Sequence, residues 1–190
     1  MTRPVRVLAT DLDGTFLGGT PEARDRLYRY LEGHRDALRL FFVTGRDIPF
    51  VRGLVERGEL PAPEYVIGDV GTTIVDGDTW APIEAVQGWV ENLWQDANPR
   101  VKGLLEGTPG LTLQDTPFER RVSYHYDPET LPEDVPERVR LAGFDCLLSA
   151  STYLDVLPRG VHKGSALLRL LDHVGVDPQT TLVAGDTLND

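Results

Sequence analysis

Two carboxylates only two residues apart, Asp11 and Asp13, follow directly on the apolar run Val5-Arg6-Val7-Leu8-Ala9-Thr10. Like charges so close repel unless a cation or a proton resolves the conflict. An aspartate has an unperturbed pKa of about 3.9, so Asp11 is ionised at neutral pH and can attack phosphorus. Asp13 can then protonate a leaving oxygen and later deprotonate water. Gly14 lets the backbone turn tightly and brings amides towards an anion. Taken alone, Asp11-Leu12-Asp13-Gly14-Thr15 is also an ordinary acidic turn; the rest of the chain has to decide.

Three further groups of residues bear on that decision. Thr44-Gly45-Arg46 follows a second apolar run and offers a hydroxyl, flexible amides and a guanidinium, all suited to phosphate. Lys163 stands at the start of a helical pattern, where an ammonium and helix N-terminal amides can converge on one anion. Gly185-Asp186-Thr187-Leu188-Asn189-Asp190 again follows an apolar run and carries two carboxylates and an amide. Magnesium takes a few carboxylate oxygens plus waters, and Asp11 with Asp186 would supply them.

The elements that must position these groups alternate. Val5–Thr10 reads as a buried strand. Thr20 suits an N-cap, with Pro21 at the first helical position and Gly33 at the stop. Leu38–Val43 is a second strand, and Asp47 caps a helix carrying Ile48, Val51, Leu54 and Val55. Tyr65–Gly68 is a third strand, and Asp76-Gly77 signals a hairpin between Thr72–Val75 and Asp78–Trp80. Strand and helix in alternation with short links imply a parallel sheet covered on both faces. Functional groups in such sheets gather at the carboxyl ends of the strands.

From about Pro82 to Pro158 the character changes. Helical stretches near Val86–Leu93 and Val101–Leu105 precede short β-like runs at Leu111–Gln114, Arg121–Tyr126, Phe144–Ser149 and Tyr153–Leu157, with a helix at Val135–Ala142. The βα pattern then resumes with a helix at Ser165–Val174 and a strand at Thr180–Ala184. The expected fold class is α/β, a Rossmann-like parallel sheet core with an inserted small α+β domain. Residues 1–81 and 159–190 form the core and 82–158 the insertion.

The charge balance, 19 Lys+Arg against 30 Asp+Glu for a net charge of −11, argues against a nucleic-acid or anionic-membrane surface. The single cysteine, Cys146, excludes an intrachain disulfide and lies in an apolar stretch, as a small core residue would. Met1–Val5 lacks the apolar run of a signal peptide and no stretch is long enough to span a bilayer, so the expected location is cytoplasmic. His34, His125, His162 and His173 show no metal-ligand spacing; only His162 stands out, as the neighbour of Lys163. Trp80, Trp89 and Trp94 read as packing residues. Arg121, Tyr124, His125 and Tyr126 are candidate sugar contacts on one strand, weighed against core or solvent.

All four chemical motifs occur in order, each at a strand end or helix start. The set resembles the haloacid dehalogenase (HAD) superfamily of phosphotransferases. The matches are Asp11–Thr15, Thr44, Lys163 and Gly185–Asp190. Within it, Phe42-Val43-Thr44-Gly45-Arg46, Asp69-Val70-Gly71-Thr72, Asp155-Val156-Leu157-Pro158 and His162-Lys163-Gly164 are similar to sucrose-phosphate phosphatases and related capped sugar-phosphate phosphatases. The resemblance implies a Mg²⁺-dependent phosphomonoester hydrolase with Asp11 as nucleophile and metal ligand. Asp13 would be the acid/base and give its backbone carbonyl to the metal. Thr44 and Lys163 would hold phosphoryl oxygens, with Gly45, Arg46 and Asn189 near the substrate. Asp186 would ligate magnesium, with Asp190 supporting the same metal site. It implies a cap domain and a small phosphorylated metabolite, a sugar phosphate, as substrate. The family continues past the fourth motif, so a longer parent chain is expected. Three alternatives stay open: a phosphosugar mutase of the same superfamily, a phospho-accepting signalling domain, and a remnant that binds Mg²⁺ and phosphate without turnover. Substrate identity and oligomeric state are not readable from these residues.

Overall fold

The computed structural model describes residues 4–117 and 119–187. In chain order the elements are β1 (Val7–Thr10), α1 (Pro21–Glu32), β2 (Arg39–Val43), α2 (Ile48–Glu56), β3 (Tyr65–Gly68), β4 (Thr73–Asp76), α3 (Glu84–Trp94), α4 (Asn98–Leu105), β5 (Leu111–Leu113), β6 (Val122–Tyr126), α5 (Val135–Leu141), β7 (Phe144–Ser149), β8 (Tyr153–Pro158), α6 (Lys163–His173) and β9 (Thr181–Ala184). The chain divides into two compact units, Met1–Gln87 with His162–Asp190, and Gly88–Val161. The first division falls inside α3, later than the change of composition at Pro82. The physical reason is Gln87, which is 1% exposed. Its amide accepts from Ile74 N at 2.8 Å and donates to Thr72 O at 3.1 Å, tying the first turn of α3 to the backbone of β4.

In the first unit five strands run in the order β4-β3-β2-β1-β9. Strands β3, β2, β1 and β9 are parallel, with Thr10 in register with Phe42 on one side and Ala184 on the other. Alternation along these strands divides their side chains between two faces. Leu40 and Phe42 pack with Leu31 of α1 and with Val51 and Leu54 of α2 in one buried cluster. Ala9 and Val43 line a cavity of about 220 Å³ with Leu167 of α6. At the helix starts, Thr20 Oγ1 accepts from Ala23 N at 3.3 Å and Asp47 Oδ1 from Phe50 N at 2.8 Å, as the sequence signals require.

The segment around Asp76-Gly77 departs from the expected hairpin. β4 pairs antiparallel with β3 along its length, and it meets the residues that follow it further on than expected, at Asp76 N to Ala81 O and Ile83 N to Ile74 O, both 3.0 Å. Beyond Asp76 one isolated bridge joins Val75 to Pro82. Asp76 Oδ1 accepts from the backbone of Asp78 and Thr79, and the aspartate closes the turn on itself.

The second unit has an antiparallel sheet in the order β5-β6-β8-β7. Val122 and Tyr124 of β6, Leu154 and Val156 of β8 and Phe144 of β7 share a core with Trp94, Val101, Leu105, Val135 and Val139 from the helices. Tyr124 therefore packs as a core residue, while Arg121, Ser123 and His125 alternate onto the other face. No described helix is long and apolar enough to cross a membrane.

Candidate active site

The site is built at the carboxyl ends of the parallel strands of the first unit. Asp11 follows β1 in extended conformation, φ −67° and ψ 163°. Its N–H donates to Ala184 O at 2.9 Å, prolonging the β1–β9 ladder by one residue. Lys163 Nζ donates to Asp11 Oδ1 at 2.8 Å, and the two residues are 4% and 6% exposed. A carboxylate and an ammonium so deeply placed need each other, because either charge alone is costly to bury.

After Asp11 the chain makes a wide turn over Leu12–Phe16. Leu12 and Phe16 anchor it in the core at 0% and 3% exposure. The ring of Phe16 stacks on Tyr28 at 4.8 Å, and the Tyr28 hydroxyl donates to Phe16 O at 2.8 Å. Between these anchors Asp13 and Gly14 are exposed. Gly14 has φ +77°, and a Cβ there would lie 2.1 Å from Oδ2 of Asp186. The carboxylate of Asp186 thus sits over the glycine, and Thr15 Oγ1 donates to its Oδ1 at 3.4 Å.

Thr44 follows β2 and is fully buried. Its N–H donates to Ile67 O at 2.8 Å and its hydroxyl accepts from Arg46 N at 3.1 Å. Arg46 turns back towards β1, and its guanidinium meets both carboxylate oxygens of Asp13, Nε at 2.8 Å and Nη2 at 2.9 Å. Gly45 between them faces open space apart from a methyl of Val70, 3.9 Å from where a Cβ would be.

Lys163 opens α6, and His162 caps it. The His162 ring nitrogen Nδ1 accepts from Ser165 N at 3.3 Å, and Ser165 Oγ accepts from His162 N at 3.0 Å. The sequence singled out His162 only as a neighbour of Lys163; the cap is the physical content of that adjacency.

The loop Asp69–Gly71 carries more than its residue types suggest. Asp69 and Val70 have φ of 51° and 60°, unusual for residues with a Cβ, most of all for β-branched Val70. Asp69 N donates to Arg46 O at 2.9 Å and Val70 N to Thr44 O at 3.2 Å. At Gly71, φ +104°, a Cβ would lie 2.5 Å from the carbonyl carbon of His162 and 2.8 Å from Lys163 N. One strained loop therefore backs both the Thr44–Arg46 turn and the start of α6. Gly68 and Gly71, flanking a single short run, are the signal that could have marked it.

Asp11, Asp13, Thr44, Arg46, Lys163 and Asp186 thus lie at strand ends or a helix start of one unit. Asn189 and Asp190 lie outside the described residues. The strand of candidate sugar contacts belongs to the other unit. There Arg121 Nη1 donates to Asp155 Oδ1 at 3.1 Å, both residues buried, and Ser123 Oγ donates to the same oxygen. His125 is exposed beside Tyr153, with ring centroids 5.4 Å apart. Cys146 is half-buried; burial first, and then the charge of Asp155, pushes its thiol up to about 11.

A parallel sheet with an Asp-x-Asp turn after β1, a threonine after its neighbour β2, a lysine opening α6 and an aspartate after β9 on the other side of β1 defines a class, the HAD superfamily of hydrolases. Within it the chain belongs to the sucrose-6F-phosphate phosphohydrolase family, whose model matches residues 4–190. It is 44% identical over 187 residues to a glucosylglycerol-phosphate synthase of Pseudomonas anguilliseptica, covering 97% of this chain and 24% of that protein. It is 30% identical to a mannosylfructose-phosphate phosphatase of Agrobacterium fabrum, covering 99% of this chain and 78% of that one. The sucrose-phosphatase of Synechocystis sp. PCC6803, solved with sucrose and phosphate, superposes with a TM-score of 0.85 at 26% identity, over 99% of this chain and 78% of the other. Against further curated relatives the chain spans about half of their length.

Proposed function

We propose that this chain is a Mg²⁺-dependent phosphomonoester hydrolase acting on a small sugar phosphate, with Asp11 as nucleophile. The observation that carries this reading is the buried Asp11–Lys163 pair at the end of β1, with a second carboxylate two residues on. The ammonium orients Asp11, and it offers positive charge where phosphoryl oxygens must approach. The carboxylate oxygen of Asp11 forms a bond to phosphorus while the ester P–O bond breaks. Asp13 gives a proton to the departing sugar oxygen. In the second half Asp13 takes a proton from water, the water oxygen bonds to phosphorus, and the P–O bond to Asp11 breaks. Thr44 and Lys163 hold the phosphoryl oxygens, and the amide of Gly45 stands beside Thr44 for the same purpose.

The donor chemistry fits magnesium. Among the described residues no three carboxylate, histidine or cysteine side chains form a cage. Magnesium needs none, since one or two carboxylates with waters suffice. Asp11, the backbone carbonyl of Asp13 and Asp186 would hold it, and all three are hard oxygen donors. Three carboxylates against Lys163 and Arg46 leave one negative charge in excess, which repels a phosphate dianion; a bound dication reverses that sign. Asn189 and Asp190 keep their sequence-based roles, near the phosphate and supporting the metal site. The relatives support a glycosylated substrate, because those with the same core are named for phosphates of mannosylfructose, sucrose and glucosylglycerol.

The test is phosphate release from a panel of sugar and glycosyl phosphates, with and without Mg²⁺, for the intact chain and for Asp11→Asn. Mg²⁺-dependent release that vanishes in the variant supports the reading. Unchanged turnover in Asp11→Asn would sink it.

A further inference from the structure

The bidentate pair between Arg46 and Asp13 is not accounted for by stability. Both side chains are about half exposed, at 48% and 51%. An ion pair so open to water contributes about 0–1 kcal/mol. Its geometry is nonetheless closely specified. Two donors of one guanidinium meet the two oxygens of one carboxylate at 2.8 and 2.9 Å, which fixes the plane of the carboxylate as well as its position. Arg46 is itself held at three points. Its backbone N–H is bound by the Thr44 hydroxyl. Its carbonyl accepts from Asp69 N at 2.9 Å. Its guanidinium lies over the ring of Phe50 at 4.6 Å.

Asp13 needs such a support. It lies on the exposed part of the Leu12–Phe16 turn, next to Gly14 and outside the sheet. The bidentate pair holds the ionised carboxylate, the form that collects a proton from water. To deliver one first, Asp13 gives up one of the two guanidinium contacts to carry the proton, and in both forms it has to face the reacting oxygen within hydrogen-bond reach. We propose that Arg46 is the positioning residue for Asp13, and that Phe50 in turn holds Arg46. The inference rests on the acid/base reading of Asp13. It departs from the expectation that Arg46 contacts the substrate: the two guanidinium nitrogens that meet Asp13 are engaged by the protein's own carboxylate.

The two roles separate by leaving group. A sugar alkoxide needs a proton as it leaves, whereas p-nitrophenolate does not. The test measures kcat and KM for a turned-over sugar phosphate, and the pre-steady-state burst of p-nitrophenolate from p-nitrophenyl phosphate, in wild type, Arg46→Ala and Phe50→Leu. If Arg46 positions Asp13, Arg46→Ala lowers kcat on the sugar phosphate about a hundredfold with KM little changed, while the burst rate changes less than about threefold. Added guanidinium ion restores part of the lost kcat, and Phe50→Leu shows the same selective loss at smaller size. A raised KM with equal loss on both substrates overturns the proposal and makes Arg46 a phosphoryl ligand. No loss on either substrate also overturns it. Wild type without turnover on any phosphate ester is a different failure, of the phosphatase reading itself, and the proposal falls with it.

Discussion

Lys163 Nζ lies 2.8 Å from Asp11 Oδ1, although 152 residues separate them in sequence, and their side chains are 5% and 7% exposed. The pair joins the first strand of the sheet to the start of α6, so it belongs to the fold as much as to the site. Lys163→Met takes the ammonium away from a buried carboxylate. It is expected to cost about 3–5 kcal/mol of stability in urea unfolding. Phosphate release should fall at least about a hundredfold, by loss of a charge aimed at the phosphoryl oxygens. The double variant Asp11→Asn/Lys163→Met should recover part of the stability and none of the activity, since it leaves neither charge buried.

Gly14→Ala probes the contact between the Asp13-Gly14 turn and Asp186. The glycine is at φ +77°, and the new methyl would meet Asp186 Oδ2 at 2.1 Å. The backbone strain is worth about 1–2 kcal/mol, which a thermal melt can follow. The carboxylate must move as well. If Asp186 ligates magnesium, the Mg²⁺ concentration for half-maximal phosphate release rises markedly in Gly14→Ala. An unchanged Mg²⁺ requirement, in a variant that folds, removes Asp186 from the metal site.

Gly71→Ala probes the strained loop. A Cβ there would press on the His162 carbonyl carbon at 2.5 Å, and backbone on both sides leaves no flexible side chain to yield. The start of α6 must shift, and Lys163 with it. Expected are a stability loss of about 1–3 kcal/mol and weaker competitive inhibition by inorganic phosphate. Inhibition at the wild-type level would separate the loop from the lysine.

How far the sequence revealed this arrangement depended on how local each signal was. Thr20, Pro21 and Asp47 announced their helices because capping is decided within four residues. The parallel order of β1, β2 and β3 followed from short βα links. The return strand expected at Asp78–Trp80 falls instead at Ala81–Ile83, because Asp76 Oδ1 binds the amides of Asp78 and Thr79 and holds those residues in the turn. Arg46 was expected near the substrate, but its partner in the fold was invisible: the Asp13 pair depends on β1 and β2 lying side by side. Asp69-Val70-Gly71-Thr72 was picked out by resemblance alone, with no structural role, for the same reason. What makes that loop matter is a backbone approach to His162, and only the glycine hinted at it. Tyr124, a sugar-contact candidate for which core or solvent was the favoured reading, packs in the core of the second unit, since alternation places it with Val122.

Cys146 gives a test of the second unit by itself. Burial and the nearby Asp155 carboxylate raise its thiol from the usual 9.0 to about 11. Alkylation by iodoacetamide should be slow at neutral pH and accelerate only towards the upper value. The raised thiol also makes stability pH-dependent. The folded state keeps its proton where the unfolded chain loses it, so the contribution is full below pH 9.0 and is lost as pH rises towards 11. Wild type should therefore lose stability over that interval relative to Cys146→Ala. Parallel curves for the two proteins would contradict the burial of the thiol.

The central claim is that Asp11 bonds to phosphorus. It is tested most directly by acid quench of the intact chain during turnover of a radiolabelled glycosyl phosphate in Mg²⁺, followed by peptide mapping of the trapped label. The expected result is acid-stable, hydroxylamine-sensitive label on the peptide containing Asp11, absent from Asp11→Asn and lost on chase with unlabelled substrate. Steady phosphate release with no trapped label, and undiminished release by Asp11→Asn, would contradict it.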